Sequence, residues 1–149
     1  MRNSLLLFFV AATALGDDGR ALRQMATHAD VVAIFAEVLR DGSHGRRQTE
    51  SAAFIVRDAV RGYRAVPWPY TGERLRQTYR GTVPPFTVAI VHTHPTSTRL
   101  PSRGDAGTAA SIGLPVFVLT PFNIWYVTPE GTMGPIVEHT YWADGWPRG

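Results

Sequence analysis

Apolar positions along this chain change their period several times, and each change marks an element. In "ALRQMATHADVVAIFAEVLRDGSHGRR", Leu22, Met25, Val32, Phe35, Ala36 and Leu39 recur at roughly helical spacing, and Asp41-Gly42 supplies a stop. This predicts a long N-terminal helix followed by the polar loop "SHGRRQT". "ESAAFIVRD" is apolar with a β-branched centre and reads as a strand opened by Glu50. "GYRAVPWPY" reads as its hairpin partner, ended by Pro67 and Pro69. "TGERLRQTYRGTVPP" has no period and reads as a connecting loop.

"FTVAIVH" is nearly continuously apolar, the pattern of a central strand covered on both faces. A helix begins at Ser102 in "SRGDAGTAASIG" and is closed by Gly113 and Pro115. "PVFVLT" and "NIWYVT" are two further strands, and a turn at Pro129-Glu130-Gly131 leads into the weaker "GPIVEH". The tail "YWADGWPRG" offers two tryptophans to pack against the sheet. No repeat or linker divides the chain. The order α-β-β-β-α-β-β predicts a single α+β (α/β layer) domain. Its mixed sheet is flanked by the N-terminal helix and by a second helix at the candidate site.

The first residues, "MRNSLLLFFVAATALGDDG", follow a different logic. Arg2 gives a positive start, Leu5 to Ala14 a short apolar run, and Ala14-Leu15-Gly16 small residues at a cleavage site. This reads as a signal peptide over residues 1–16, with the mature domain at 17–149 and a secreted or periplasmic location. The alternative is a buried N-terminal helix. The run is too short to span a bilayer stably.

Composition narrows the chemistry. At 149 residues there is room for one domain with a proper core. Net charge is only +3, and the fifteen basic residues, all arginine, are scattered rather than gathered into a stripe, which disfavours nucleic acid as a partner. Cysteine is absent, so disulfides and thiolate ligands are excluded. Any metal must be held by histidine and carboxylate.

"VHTHPTSTRLPSRGD" offers such a set. His92 and His94 are two apart, so on a strand both imidazoles project from one face. Pro95 ends the ladder, and a loop leads to a helix whose first turn holds Asp105. Two imidazoles and a carboxylate are a standard catalytic zinc set that leaves the fourth position to water; manganese, iron and cobalt also suit these donors. Each half has a simpler reading as well. His-x-His at a strand end can be a polar edge, and Ser102-x-x-Asp105 is a capping box. An Asp105 that binds a metal is expected to cap its helix only in part. Thr93, between the ligands, faces the opposite side and is assigned to core packing. Of Trp125 and Tyr126, which alternate on one strand, one is expected in the core.

His-Thr-His, seven residues, then Ser-x-x-Asp, with proline after the second histidine, resembles the JAMM (JAB/MPN-type) zinc metalloprotease family. The resemblance spans roughly Glu50 to Thr128 and is nearer to small secreted bacterial members than to eukaryotic deubiquitinases. It implies the cytidine-deaminase-like JAB/MPN architecture, Zn²⁺ held by His92, His94 and Asp105, and an upstream glutamate as general base. It also implies that Ser102 donates to the oxyanion, a contribution usually worth about 3 kcal/mol.

Among the glutamates, Glu37 has a surface explanation beside Arg40, Glu73 lies in the long loop, and Glu130 and Glu138 follow the last site element. Glu50 opens a strand after a helix and loop, where the resemblance places the base. The sequence there is "ESAA", alanine standing where the family shows glycine. The implied activity is that of an exported zinc-dependent metallohydrolase cleaving peptide or isopeptide bonds in a peptide or protein substrate. Two alternatives stand beside it: a catalytically inactive metal-binding or interaction module, and an amidase acting on peptidoglycan stem peptides.

Overall fold

The computed structural model describes residues 14–47, 49–60, 62–71 and 78–144. Most of the expected signal peptide, and Trp146 of the tail, lie outside them. The described elements are helices α1 (Ala14–Ala26), α2 (Ala29–Asp41) and α3 (Arg103–Ile112) and strands β1 (Ala52–Asp58), β2 (Gly62–Pro67), β3 (Thr87–Thr93), β4 (Val116–Thr120), β5 (Asn123–Val127) and β6 (Met133–Val137). Among the described residues, no helix is long and apolar enough to cross a membrane.

The single long N-terminal helix expected from the periodicity is in fact two. α1 ends at Ala26, and His28 takes an extended conformation (φ −65°, ψ 134°), where its Nδ1 accepts the N–H of Asp30 and caps α2. Thr27 turns its hydroxyl onto the carbonyl of Gln24. Short polar side chains that bond the local backbone favour a cap over a helix interior, and the Thr-His-Ala-Asp run does this across the break.

Six strands form one mixed sheet in the order β2-β1-β3-β4-β5-β6, antiparallel except for the parallel pair β3–β4. The fold class is therefore α+β. The weak last strand pairs with β5 as the sheet's far edge. On one face, Val31, Ile34, Phe35, Val38 and Leu39 of α2 pack against Ala53, Ile55, Val91, Phe117 and Tyr126, with Trp142 of the tail closing the cluster. On the other, Phe54, Val56, Ile90, Val116, Val118 and Val127 pack against Ala109 of α3. β3 is apolar along its length because it supplies residues to both clusters.

Two consequences place the site. The parallel β3–β4 pair needs a crossover, and α3 provides it, so the N-terminus of α3 faces the carboxyl end of β3. β1 runs antiparallel to β3 with Ala52 opposite His92, so the residues just before β1 lie at that same end. Glu50 and Asp105, fifty-five positions apart, are delivered to the histidines by these two register relations.

Candidate metal centre

β3 ends at Thr93, and the N–H of His94 still donates to the carbonyl of Leu119 on β4 at 2.8 Å. The two imidazoles therefore leave the strand end together, with ring centroids 4.8 Å apart. Loop residue Thr98 fixes one of them, because its carbonyl lies 3.0 Å from Nδ1 of His94. A carbonyl can only accept, so Nδ1 carries a proton and Nε2 is the atom turned to the Asp105 carboxylate.

Asp105 meets both rings. Its Oδ1 is 2.7 Å from Nε2 of His92 and its Oδ2 is 3.3 Å from Nε2 of His94. Glu50 approaches the other ring nitrogen, its Oε2 3.7 Å from Nδ1 of His92. Glu50, His92 and His94 each offer a ligand atom within 4.8 Å of the others, a group that could hold a metal ion. All are nearly buried, at 12% side-chain exposure or less. Glu37, the other upstream candidate, is exposed on α2.

Asp105 also completes its helix cap. The backbone N–H of Ser102 donates to Oδ2 at 2.6 Å, the Ser102 hydroxyl donates to Oδ2 at 2.8 Å, and the N–H of Asp105 returns to Ser102 Oγ at 3.2 Å. The complete cap and the approach to the histidines coexist in this structure. Oδ2 is held by the cap while Oδ1 extends to His92, so one carboxylate does both. The resting contact of the Ser102 hydroxyl is the Asp105 carboxylate.

Electrostatics at this corner favour positive charge. Burial opposes charge on His92, but the carboxylates of Asp105 and Glu50 outweigh it and hold the pKa up at about 9. Burial likewise acts to raise Asp105, yet the two imidazoles and the Ser102 N–H hold it well below the usual carboxylate range. Nε2 of His92 is nevertheless buried without a directed hydrogen bond, since Asp105 lies beside it and off its N–H axis. Two nitrogens and a carboxylate aimed at shared space are the donors a divalent cation takes, and the residues fit one.

The centre lies in an open cleft of about 620 Å³. It is lined by Ala52, Ile90 and Val116 of the sheet, by Gly104, Thr108 and Ser111 of α3, and by Trp68, Tyr79 and Val83. Ala52, a small residue of "ESAA", sits across the ladder from His92 and lines the cleft. Trp68, Phe54 and Tyr79 pack together in tilted and edge-to-face pairs, with centroids 4.8–5.2 Å apart. No arginine is among the described lining residues.

The structure thus brings Glu50, His92, His94, Ser102 and Asp105 together. Arg99 is turned away to His139, 3.0 Å from its Nε2, and Arg103 is exposed. Tyr126 is the core member of its strand pair, and Trp125 takes no part in the cleft. Sequence reading missed three contributors: the Thr98 carbonyl, the aromatic wall and the hydroxyl of Thr93. Only the last had a visible signal, a hydroxyl on the covered face of a strand. Comparison with known proteins finds no family model and no curated protein that matches this chain.

Proposed function

We propose that this chain is an exported, metal-dependent hydrolase of peptide or isopeptide bonds, of the JAMM type and on the JAB/MPN architecture. One observation carries the reading. The carboxylate of Asp105 reaches Nε2 of both histidines while the Glu50 carboxylate stands 3.7 Å from the other ring nitrogen of His92. His92, His94 and Asp105 are the ligands, and zinc is the expected ion. An ion held there would supply Lewis-acid chemistry, polarising a carbonyl and easing loss of a proton from water, whose pKa such ions bring to about 7.

The chain's own groups do the rest. Glu50 takes a proton from the attacking water and returns it to the departing amine, so water is added across the C–N bond with no other reactant. The cap N–H of Ser102 keeps Asp105 in place. The Ser102 hydroxyl turns from Asp105 to the oxygen that gains charge. Trp68, Tyr79 and Val83 exclude water from one side of the scissile bond.

Metal analysis of the purified chain, with hydrolysis of a peptide library, tests this. About one metal per molecule is expected, lost in His92→Ala, His94→Ala and Asp105→Ala. Full metal in all three variants would refute the assignment. N-terminal sequencing of the exported protein tests the leader. A second reading rests on Glu50 facing Nδ1 of His92: there it orients the ring, and the domain binds metal and a partner without turnover. A metal-loaded chain inert toward the library and toward muropeptides is the result that favours it.

A further inference from the structure

β1 starts at Ala52, so Glu50 and Ser51 stand outside the strand. Among the described residues the Glu50 carboxylate makes no hydrogen bond; its polar approach is the 3.7 Å one to His92. That charged approach is longer than a hydrogen bond, so the backbone shares in setting its place. Thr93 holds that backbone from both sides: its Oγ1 accepts the N–H of Ser51 at 3.0 Å, and its own N–H donates to the carbonyl of Ser51 at 2.9 Å. Thr93 is 1% exposed and sits between the two histidines with its side chain on the opposite face of β3.

The end of α2 closes over it. A Cβ at Gly42 would come within 2.5 Å of Oγ1 and 2.9 Å of Cγ2 of Thr93, which leaves the hydroxyl little room to turn elsewhere. Valine would fill the same volume but could not accept the Ser51 N–H, so packing alone does not account for a hydroxyl here.

We propose that Thr93 is a positioning residue of the centre: by gripping Ser51 it sets where the Glu50 carboxylate stands relative to His92 and His94. The inference rests on the metal-hydrolase reading above. One strand turn then does two jobs. Its alternate side chains present the imidazoles on one face and hold the glutamate's backbone on the other.

The test uses the full chain loaded with Co²⁺, in wild type, Thr93→Val and Thr93→Ser. Two readouts by NMR are independent of turnover: exchange of the Ser51 amide, and paramagnetic relaxation of the Glu50 and histidine side chains. In Thr93→Val the Ser51 amide should exchange at least about tenfold faster. The Glu50 relaxation should change while that of His92 and His94 stays, and Thr93→Ser should restore both. Should Thr93→Val fail to fold, Thr93→Ala, which also lacks the acceptor, carries the same comparison. Unchanged Glu50 relaxation overturns the inference, and so does an equal change at the histidines, which would mark a general loosening. A wild type that takes up no Co²⁺ removes the metal reading and this inference with it. A loaded wild type with an unresponsive Glu50 removes this inference alone.

Discussion

Raising the pH from 7 to 9 is expected to tighten metal binding, because the ion must displace a proton from His92. The carboxylates of Asp105 and Glu50 hold that proton with a pKa of about 9. At pH 7 the lone pair is free in about one molecule in a hundred, so the apparent affinity is lowered about 100-fold, or about 3 kcal/mol. Between pH 7.5 and 8.5 the logarithm of the association constant should rise with a slope near one and level off past pH 9. Competition with a chromophoric chelator reads the constants. Calorimetry in buffers of different ionisation enthalpy reads the released proton. The chelator-treated protein should move the other way. A raised histidine pKa stabilises the fold fully below about 6.5, and that stabilisation is lost as pH rises through about 9. The contribution of Asp105, whose pKa is lowered, is present above its ordinary value of 3.8 and is lost as pH falls. A metal affinity flat across this window, with no proton released, would refute the account of His92.

Asp105→Asn should keep the helix cap, because an amide oxygen still accepts the Ser102 N–H, while losing the metal and the stabilising charge beside His92, so the unfolding midpoint at pH 7 falls. Asp105→Ala should lose the metal and also about 1 kcal/mol of helix capping, read by denaturant titration. Glu50→Gln keeps shape and removes basicity, so metal content should stay while hydrolysis of a substrate found in the library falls about 10²–10⁴-fold; an unaffected rate would move the base elsewhere. Gly42→Ala would drive a methyl group into Thr93, 2.5 Å from its Oγ1. It should cost about 1–3 kcal/mol in urea unfolding, and a neutral result would show that α2 can draw back.

Much of the architecture is written in the chain's own periodicities. Alternation and apolar runs place β1 to β5, Ser102 and Gly113 bracket α3, and the spacing of His92 and His94 puts both rings on one face. These are local properties, set by side-chain period and backbone preference within a few residues. The break at His28 was local too, but its polar residues sit inside an apolar period that runs on across them, and the period masks it. What the linear order could not decide is everything that depends on pairing. The opposition of Ala52 and His92 brings Glu50 to the histidines, and the parallel β3–β4 pair brings Asp105. The double use of the Asp105 carboxylate and the Thr98 carbonyl on His94 depend on atoms converging from separate elements. The hold of Thr93 on Ser51 does too. Strand partners and register follow from burying both faces of the sheet at once, a property of the whole core that no short stretch of sequence carries.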